Sequence, residues 1–393
     1  MPPNPLPNEP APTAPLGDGR YIYIACPWTP VGGGMFKVAD YLIQSQAART
    51  PSSAARLRPL DSRGAGSAAA SLWVLLKALA KIVWGRLAGR LAGVHVNMAE
   101  RMSLFRKGVI IAISRAVGVP VVLHLHAQMR YFYETLPPVL QRMTCWVFSL
   151  ATCVMVIGPA ARRFVIEDLG VPAERVEIII NGVPEATEPR RQAQPGDPQR
   201  VLFLGNLSER KGLTNFLRAL ARPGFDRARL DVVIAGGGDV EGYRAKAAEL
   251  GITGFVRFED WCDQDKAARL LAQSDVLVLP SVDEVLPLAI LEALANRVAV
   301  VCTPVGEIPS LLTDGVDVCF VEPRDVDGLA AGIQKVLGQP ALREALEHNG
   351  RALYERQFSL PQFFASVARI HQRYFGVSGQ PLERVPSPQE RTL

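Results

Sequence analysis

Two series of short, apolar, β-branched runs, separated by longer stretches of helical spacing, restrict the fold of this chain more than any other feature. The first series is Tyr-Ile-Tyr-Ile-Ala-Cys (21–26), Val-His-Val-Asn-Met (94–98), Val-Pro-Val-Val-Leu-His-Leu-His (119–126), 153–157 and 176–180. The second is 201–205, 230–236, 255–259, 276–280 and 298–302, with helical spacing between them at 213–221 and 239–250. Such continuous apolar runs read as strands of a buried parallel sheet. Strands alternating with helices imply right-handed βαβ units in a doubly wound sheet. Pro, Gln and charged residues at 184–199 divide the two series and give a linker at 186–199. The expected class is therefore α/β, with two Rossmann-like domains, 20–185 and 200–360, facing each other across a cleft. A C-terminal helix is expected at 361–378, and the Pro-rich, polar ends 1–19 and 379–393 are expected to be disordered.

Composition agrees with two domains. The chain has 393 residues, 48% of them hydrophobic, enough to bury large cores. No uninterrupted apolar run reaches the ~18 residues of a membrane span, so a spanning helix is not expected. Seven prolines among the first fifteen residues, without a charged-then-apolar leader, do not read as a secretory signal. The six cysteines (26, 145, 153, 262, 302 and 319) form no CxxC pair. That pattern suits a reduced cytoplasmic protein with neither a disulfide frame nor a metal site. The net charge of +5 is unevenly placed, because 62–133 holds ten basic residues and one acid, Glu100. A one-sided field favours an anionic partner, either nucleic acid or an acidic membrane face.

Open parallel sheets bind ligands at the carboxyl ends of their strands, so the strand-to-helix turns hold the candidate chemistry. The turn 30–34 carries Gly32, Gly33 and Gly34 ahead of a helix at 36–47. It suits either a close ligand approach or a plain tight turn. The turn Gly-Asn-Leu-Ser-Glu-Arg-Lys-Gly (205–212) puts Arg210 and Lys211 where a helix starts, a place unfavourable to cations unless an anion joins them. A diphosphate held by Arg210, Lys211 and backbone amides would meet that need. Three glycines at 236–238 fail the dinucleotide fingerprint, whose sixth position here is Glu241. In Asp283-Glu284-Val-Leu-Pro-Leu, Pro287 reads as the first helical residue, with Glu284 before the helix and Glu292 in its second turn. Two carboxylates there suit sugar hydroxyls, and the amides of Leu286, Pro287 and Leu288 suit phosphate oxygens.

Taken in order, the glycine turn, the His after an N-domain strand, G-x-x-x-E-R-K-G, and E-x7-E followed by Val-Ala-Val-Val resemble the family-4 retaining glycosyltransferases of the GT-B fold. The likeness spans nearly all of 20–375 and is strongest over 201–330. It implies that Lys211 grips the donor diphosphate and that Glu284 binds hydroxyls of the transferred sugar. It further implies that Glu292 binds the nucleotide ribose and that His126 faces the donor sugar. Gly33 and Gly34 would lie near the diphosphate and the acceptor. His124 either contributes or is a packed neighbour. Two departures stand out. Asn206 occupies a position where the family commonly has Arg, which leaves Arg210 to supply that contact. Ser310 replaces a frequent Glu.

The resemblance implies catalysis with retention of configuration and without a bound metal or cofactor. Lys211, Arg210 and the helix start at 286–288 would stabilise the departing nucleoside diphosphate. GDP-mannose is the leading donor by likeness to bacterial exopolysaccharide mannosyltransferases, and UDP-glucose is the alternative. At 71–91, Leu72, Leu76, Leu79 and Val83 share helical spacing with Lys77, Lys81, Arg86 and Arg90 among them. This reads equally as a membrane-surface helix or as a core helix of the N-domain. The first reading makes a polyprenyl-diphosphate-linked oligosaccharide the acceptor, at the inner face of the cell membrane. A non-catalytic anion- or nucleic-acid-binding module is the competing class. The few aromatics among the basic residues speak against nucleic acid.

Overall fold

The computed structural model describes residues 19–28, 33–47, 55–64, 66–192, 194 and 196–377. The two end segments expected to be disordered therefore lie outside the described residues, apart from Gly19. The first half runs β1 (Tyr21–Cys26), α1 (Gly34–Gln44), β2 (Arg56–Asp61), α2 (Ala68–Leu87), β3 (Leu91–Met98) and α3 (Met102–Ala116). It continues with β4 (Val121–Leu125), α4 (Met129–Glu134), α5 (Pro138–Leu150), β5 (Cys153–Val156), α6 (Pro159–Glu167) and β6 (Val176–Ile178). The second half runs β7 (Gln199–Leu204), α7 (Leu213–Leu220), β8 (Leu230–Ala235), α8 (Val240–Glu249), β9 (Val256–Glu259) and α9 (Gln264–Ala272). After it come β10 (Val276–Leu279), α10 (Leu288–Ala295), β11 (Ala299–Cys302), α11 (Ile308–Leu311) and β12 (Cys319–Phe320). Three helices close the chain: α12 (Val326–Gly338), α13 (Pro340–Leu353) and α14 (Leu360–Phe375).

These strands form two six-stranded sheets, ordered β2-β1-β3-β4-β5-β6 and β12-β11-β10-β7-β8-β9. In the second sheet every neighbouring pair is parallel. The strand order reverses between β7 and β10, where Val201 pairs with Val276 and Leu202 with Leu277. That reversal brings the turns after β7 and β10 side by side. The chain divides into two compact units. The first takes in the described residues up to His124, Met143–Val154 and those from Phe364 on; the second takes in Leu125–Arg142 and Met155–Phe363.

Two strands were not visible in the sequence. β2 (Arg-Leu-Arg-Pro-Leu-Asp) is an edge strand whose exposed Arg56, Arg58 and Pro59 break the apolar run. An edge tolerates a proline, which donates nothing to the ladder. β12 is a two-residue edge strand, too short to leave a pattern.

Helix α2 departs from the expected stripe. Its buried face is Leu75, Ala78, Ile82 and Gly85, while Leu72, Trp73, Leu76, Trp84 and Leu87 point outward. By length and composition it is apolar enough to cross a membrane, although no uninterrupted apolar run signals this. It packs in the first unit against β2, β3 and α3.

The same unit buries a row of imidazoles. His95 Nδ1 lies 3.0 Å from His371 Nε2, and His95 Nε2 lies 3.3 Å from His124 Nδ1. His124 is thus packed within the first unit, fully buried. Desolvation lowers the His95 pKa to about 3.

Candidate functional site

The turn after β7 is shaped by glycine and anchored by an acid. Residues 209–211 form one 3-10 turn, and Gly212 follows with φ of 72°, in the left-handed region. A Cβ at Gly212 would stand 1.9 Å from the Pro280 carbonyl oxygen, so only glycine lets this turn close onto the loop after β10. Arg210 and Lys211 therefore belong to the 3-10 turn and not to α7, which begins at Leu213. Glu209 holds the turn by accepting hydrogen bonds from the Thr214 and Tyr243 hydroxyls. Burial raises its pKa, but those bonds and the Lys246 charge outweigh burial and lower it overall.

Across the strand-order reversal, Glu284 meets both cations. Its Oε1 lies 2.7 Å from Lys211 Nζ and 2.9 Å from Arg210 Nη1. The Lys211 and Glu284 side chains are each 11% exposed, whereas Arg210 is 54% exposed. Both ion pairs fall on Oε1, which makes no hydrogen bond of good geometry among the described residues. Arg210 also donates to the Asp283 carbonyl oxygen at 2.9 Å, and Val282 N–H donates to the Arg210 carbonyl oxygen. Burial pushes the Asp283 pKa up, partly offset by Arg210. With Asp283 beside Arg210, two carboxylates and two cations share this turn.

Helix α10 begins at Leu288, with Pro287 as its N-cap and not its first helical residue, and no side chain caps it. Of the three positions expected to offer amides, Leu286 and Leu288 can donate, but Pro287 has no N–H. The N–H groups of Leu288 and Ala289 have no partner among the described residues and mark a site suited to an anion. Glu292 falls in the second turn and is half-buried.

Two residues of this neighbourhood were not read from the sequence. Gln128, ahead of α4, donates from Nε2 to the Glu284 carbonyl oxygen at 2.5 Å. Glu307, 2% exposed, accepts from the Ala160 and Ala161 N–H groups at 3.2 and 2.6 Å, closing the start of α6. Ser310 donates its hydroxyl to the Glu307 backbone oxygen at 2.8 Å, so the residue replacing the family's Glu braces its neighbour. Between them Gly306, φ 64°, packs so closely that a Cβ would lie 1.9 Å from the Glu284 oxygen. Neither Gln nor a second acid after β11 has a local pattern, which is why both escaped notice.

His126 lies just beyond the last residue of β4, half-buried, two positions before Gln128. Gly33 and Gly34 belong to the first unit. Gly33 is the N-cap of α1, and a Cβ there would meet nothing within 4 Å. Asn206 is exposed.

Comparison with known proteins places the fold in a family. Residues 185–353 match the family described as glycosyl transferases group 1, and residues 37–182 match the glycosyl transferase 4-like domain. The chain is a group 1, family-4-like glycosyltransferase with the GT-B fold. Among its curated relatives is an uncharacterized glycosyltransferase of Methanocaldococcus jannaschii, 28% identical over 52% of this chain and 55% of that protein. Another is the phosphatidyl-myo-inositol mannosyltransferase of Mycolicibacterium smegmatis, 30% identical over 48% of each chain. The transferase thus spans about half the length of these two relatives. Among solved structures, Anabaena HepE in complex with UDP-glucose superimposes with a TM-score of 0.70 at 18% identity, covering 90% of this chain and 99% of HepE.

Proposed function

We propose that this transferase moves a hexose, with retention, from a nucleotide donor held at the β7/β10 reversal to a polyprenyl-diphosphate-linked oligosaccharide. The setting is exopolysaccharide assembly at the inner face of the cell membrane. One observation carries the reading: Lys211, Arg210 and Glu284 converge within hydrogen-bond distance next to an uncapped helix start. Cleaving a sugar–phosphate bond leaves positive character on the ring and a further negative charge on the departing diphosphate. Lys211, Arg210 and the N–H groups of Leu286, Leu288 and Ala289 stabilise that charge most in the transition state. Arg210 supplies the phosphate contact that Asn206 lacks. Glu284 accepts the sugar's hydroxyls, Glu292 the ribose, and His126 faces the sugar.

The relative named as a mannosyltransferase supports GDP-mannose as the donor. The UDP-glucose complex of HepE supports UDP-glucose as a second reading. The outer face of α2 supports the membrane setting, since exposed Trp73, Trp84 and Leu87 stand among Lys77 and Lys81, with exposed Arg90 just beyond the helix. Met102 on α3 and Trp146 on α5 are also exposed in the same unit.

A nucleotide-sugar panel with and without lipid extract, scored by thermal shift and donor turnover, tests the proposal. The wild type should turn over one of the two donors, and Lys211→Ala should lose about 10²–10³-fold while melting within a few degrees of it. Undiminished turnover in Lys211→Ala would remove the assigned role.

A further inference from the structure

We propose a second anion site, in the first unit, where Arg63, Arg106 and Lys107 bind a phosphoryl group of the sugar acceptor. That the anion belongs to the acceptor rests on the transferase reading above; the site itself does not. Strand order reverses in the first sheet as well, since β1 lies between β2 and β3, and such reversals are ligand crevices. Cys26 ends β1, Asp61 ends β2, and α3 follows β3.

Lys107 sits in the second turn of α3 and is fully buried. Its amine donates to the Asn97 carbonyl oxygen and lies 3.5 Å from the Met35 sulfur. Among the described residues no carboxylate pairs with it. Burial, with Arg106 adding to it and Cys26 opposing it, lowers its pKa to about 8. Arg106, half-buried, has its Nε shut from solvent without a hydrogen-bond partner. Burial lowers its pKa, and the nearby Arg63 charge lowers it further.

The local acid is already engaged. Asp61 Oδ1 accepts the backbone N–H groups of Trp28, Arg63 and Gly64. Next to it Ser62 is fully buried with an unpartnered hydroxyl, while its N–H donates to the Cys26 carbonyl oxygen. The three cations, none of them ion-paired among the described residues, pay for both desolvation and mutual repulsion. A phosphoryl dianion relieves both, accepting from two guanidinium groups and from the Ser62 hydroxyl. Arg63 is exposed and Lys107 fully buried.

The test is calorimetric titration of the full-length Lys211→Ala protein, whose donor cluster is crippled, with inorganic pyrophosphate. One binding site should remain. Adding Arg63→Gln and Arg106→Gln should weaken it about tenfold or more. Adding Lys107→Met should weaken it further without lowering the melting temperature, since a buried unpaired ammonium is removed. Pyrophosphate binding that survives both arginine changes overturns the site, whether or not Lys107→Met folds. Displacement by glucose 1-phosphate marks a soluble acceptor and displacement by a polyprenyl phosphate in detergent a lipid-linked one. Displacement by neither overturns the acceptor assignment. A wild type that turns over no nucleotide sugar would defeat the transferase reading while leaving the titration meaningful.

Discussion

Glu284 and His95 show how far single residues could be read from the chain. Lys211 and Glu284, singled out in two separate turns of the sequence, stand 2.7 Å apart. What no motif carries is that the carboxylate spends one oxygen on two cations, because that depends on a turn closing through Gly212. His95 was not singled out at all: an imidazole inside a strand looks like its neighbours until a distant helix supplies His371. Its folded pKa of about 3 lies below the ordinary 6.5, so the unfolded chain binds more protons between those values. Stability contributed by neutral His95 is therefore complete above pH 6.5 and is lost as pH falls toward 3. Denaturant melts at pH 7, 5.5 and 4.5 should show His95→Gln with a shallower decline than wild type, by up to about 1.4 kcal/mol per pH unit. Parallel declines would show that His95 takes up no extra proton on unfolding.

At the level of elements, most strands were legible because parallel sheets buried on both faces write continuous apolar runs. β2 and β12 were not, since edges tolerate Arg, Pro and brevity. Helix α2 was legible as a helix but not as a surface, because it is apolar on two faces and spacing alone does not say which turns inward. Its exposed cations can be changed without disturbing the core, except Arg86, whose Nε donates to the Val117 carbonyl oxygen. Replacing Lys77, Lys81 and Arg90 with Gln should reduce binding to vesicles containing phosphatidylglycerol by roughly 1 kcal/mol per charge. Co-sedimentation in low and high salt reads this, and unchanged binding would return α2 to a plain crossover helix.

Across the whole molecule, charge and chemistry are distributed differently. The basic excess of 62–133 lies in the first half of the chain, whereas Arg210, Lys211, Glu284 and Glu292 all belong to the second unit. Nucleoside diphosphate should thus protect 205–212 and 283–292 from hydrogen exchange before it protects α2 or α3. At about a hundredfold over its dissociation constant it should add about 2.7 kcal/mol of stability. Protection spread evenly over both units would contradict this placement.

The shared oxygen of Glu284 has a consequence for selectivity. An incoming anion must evict a tethered competitor whose local concentration never falls, so a small solute such as chloride gains little by trying. A ligand that also offers hydroxyls to the evicted carboxylate regains what the eviction cost. On the proposed donor reading, the cluster therefore favours molecules carrying phosphate and sugar together over those carrying either alone.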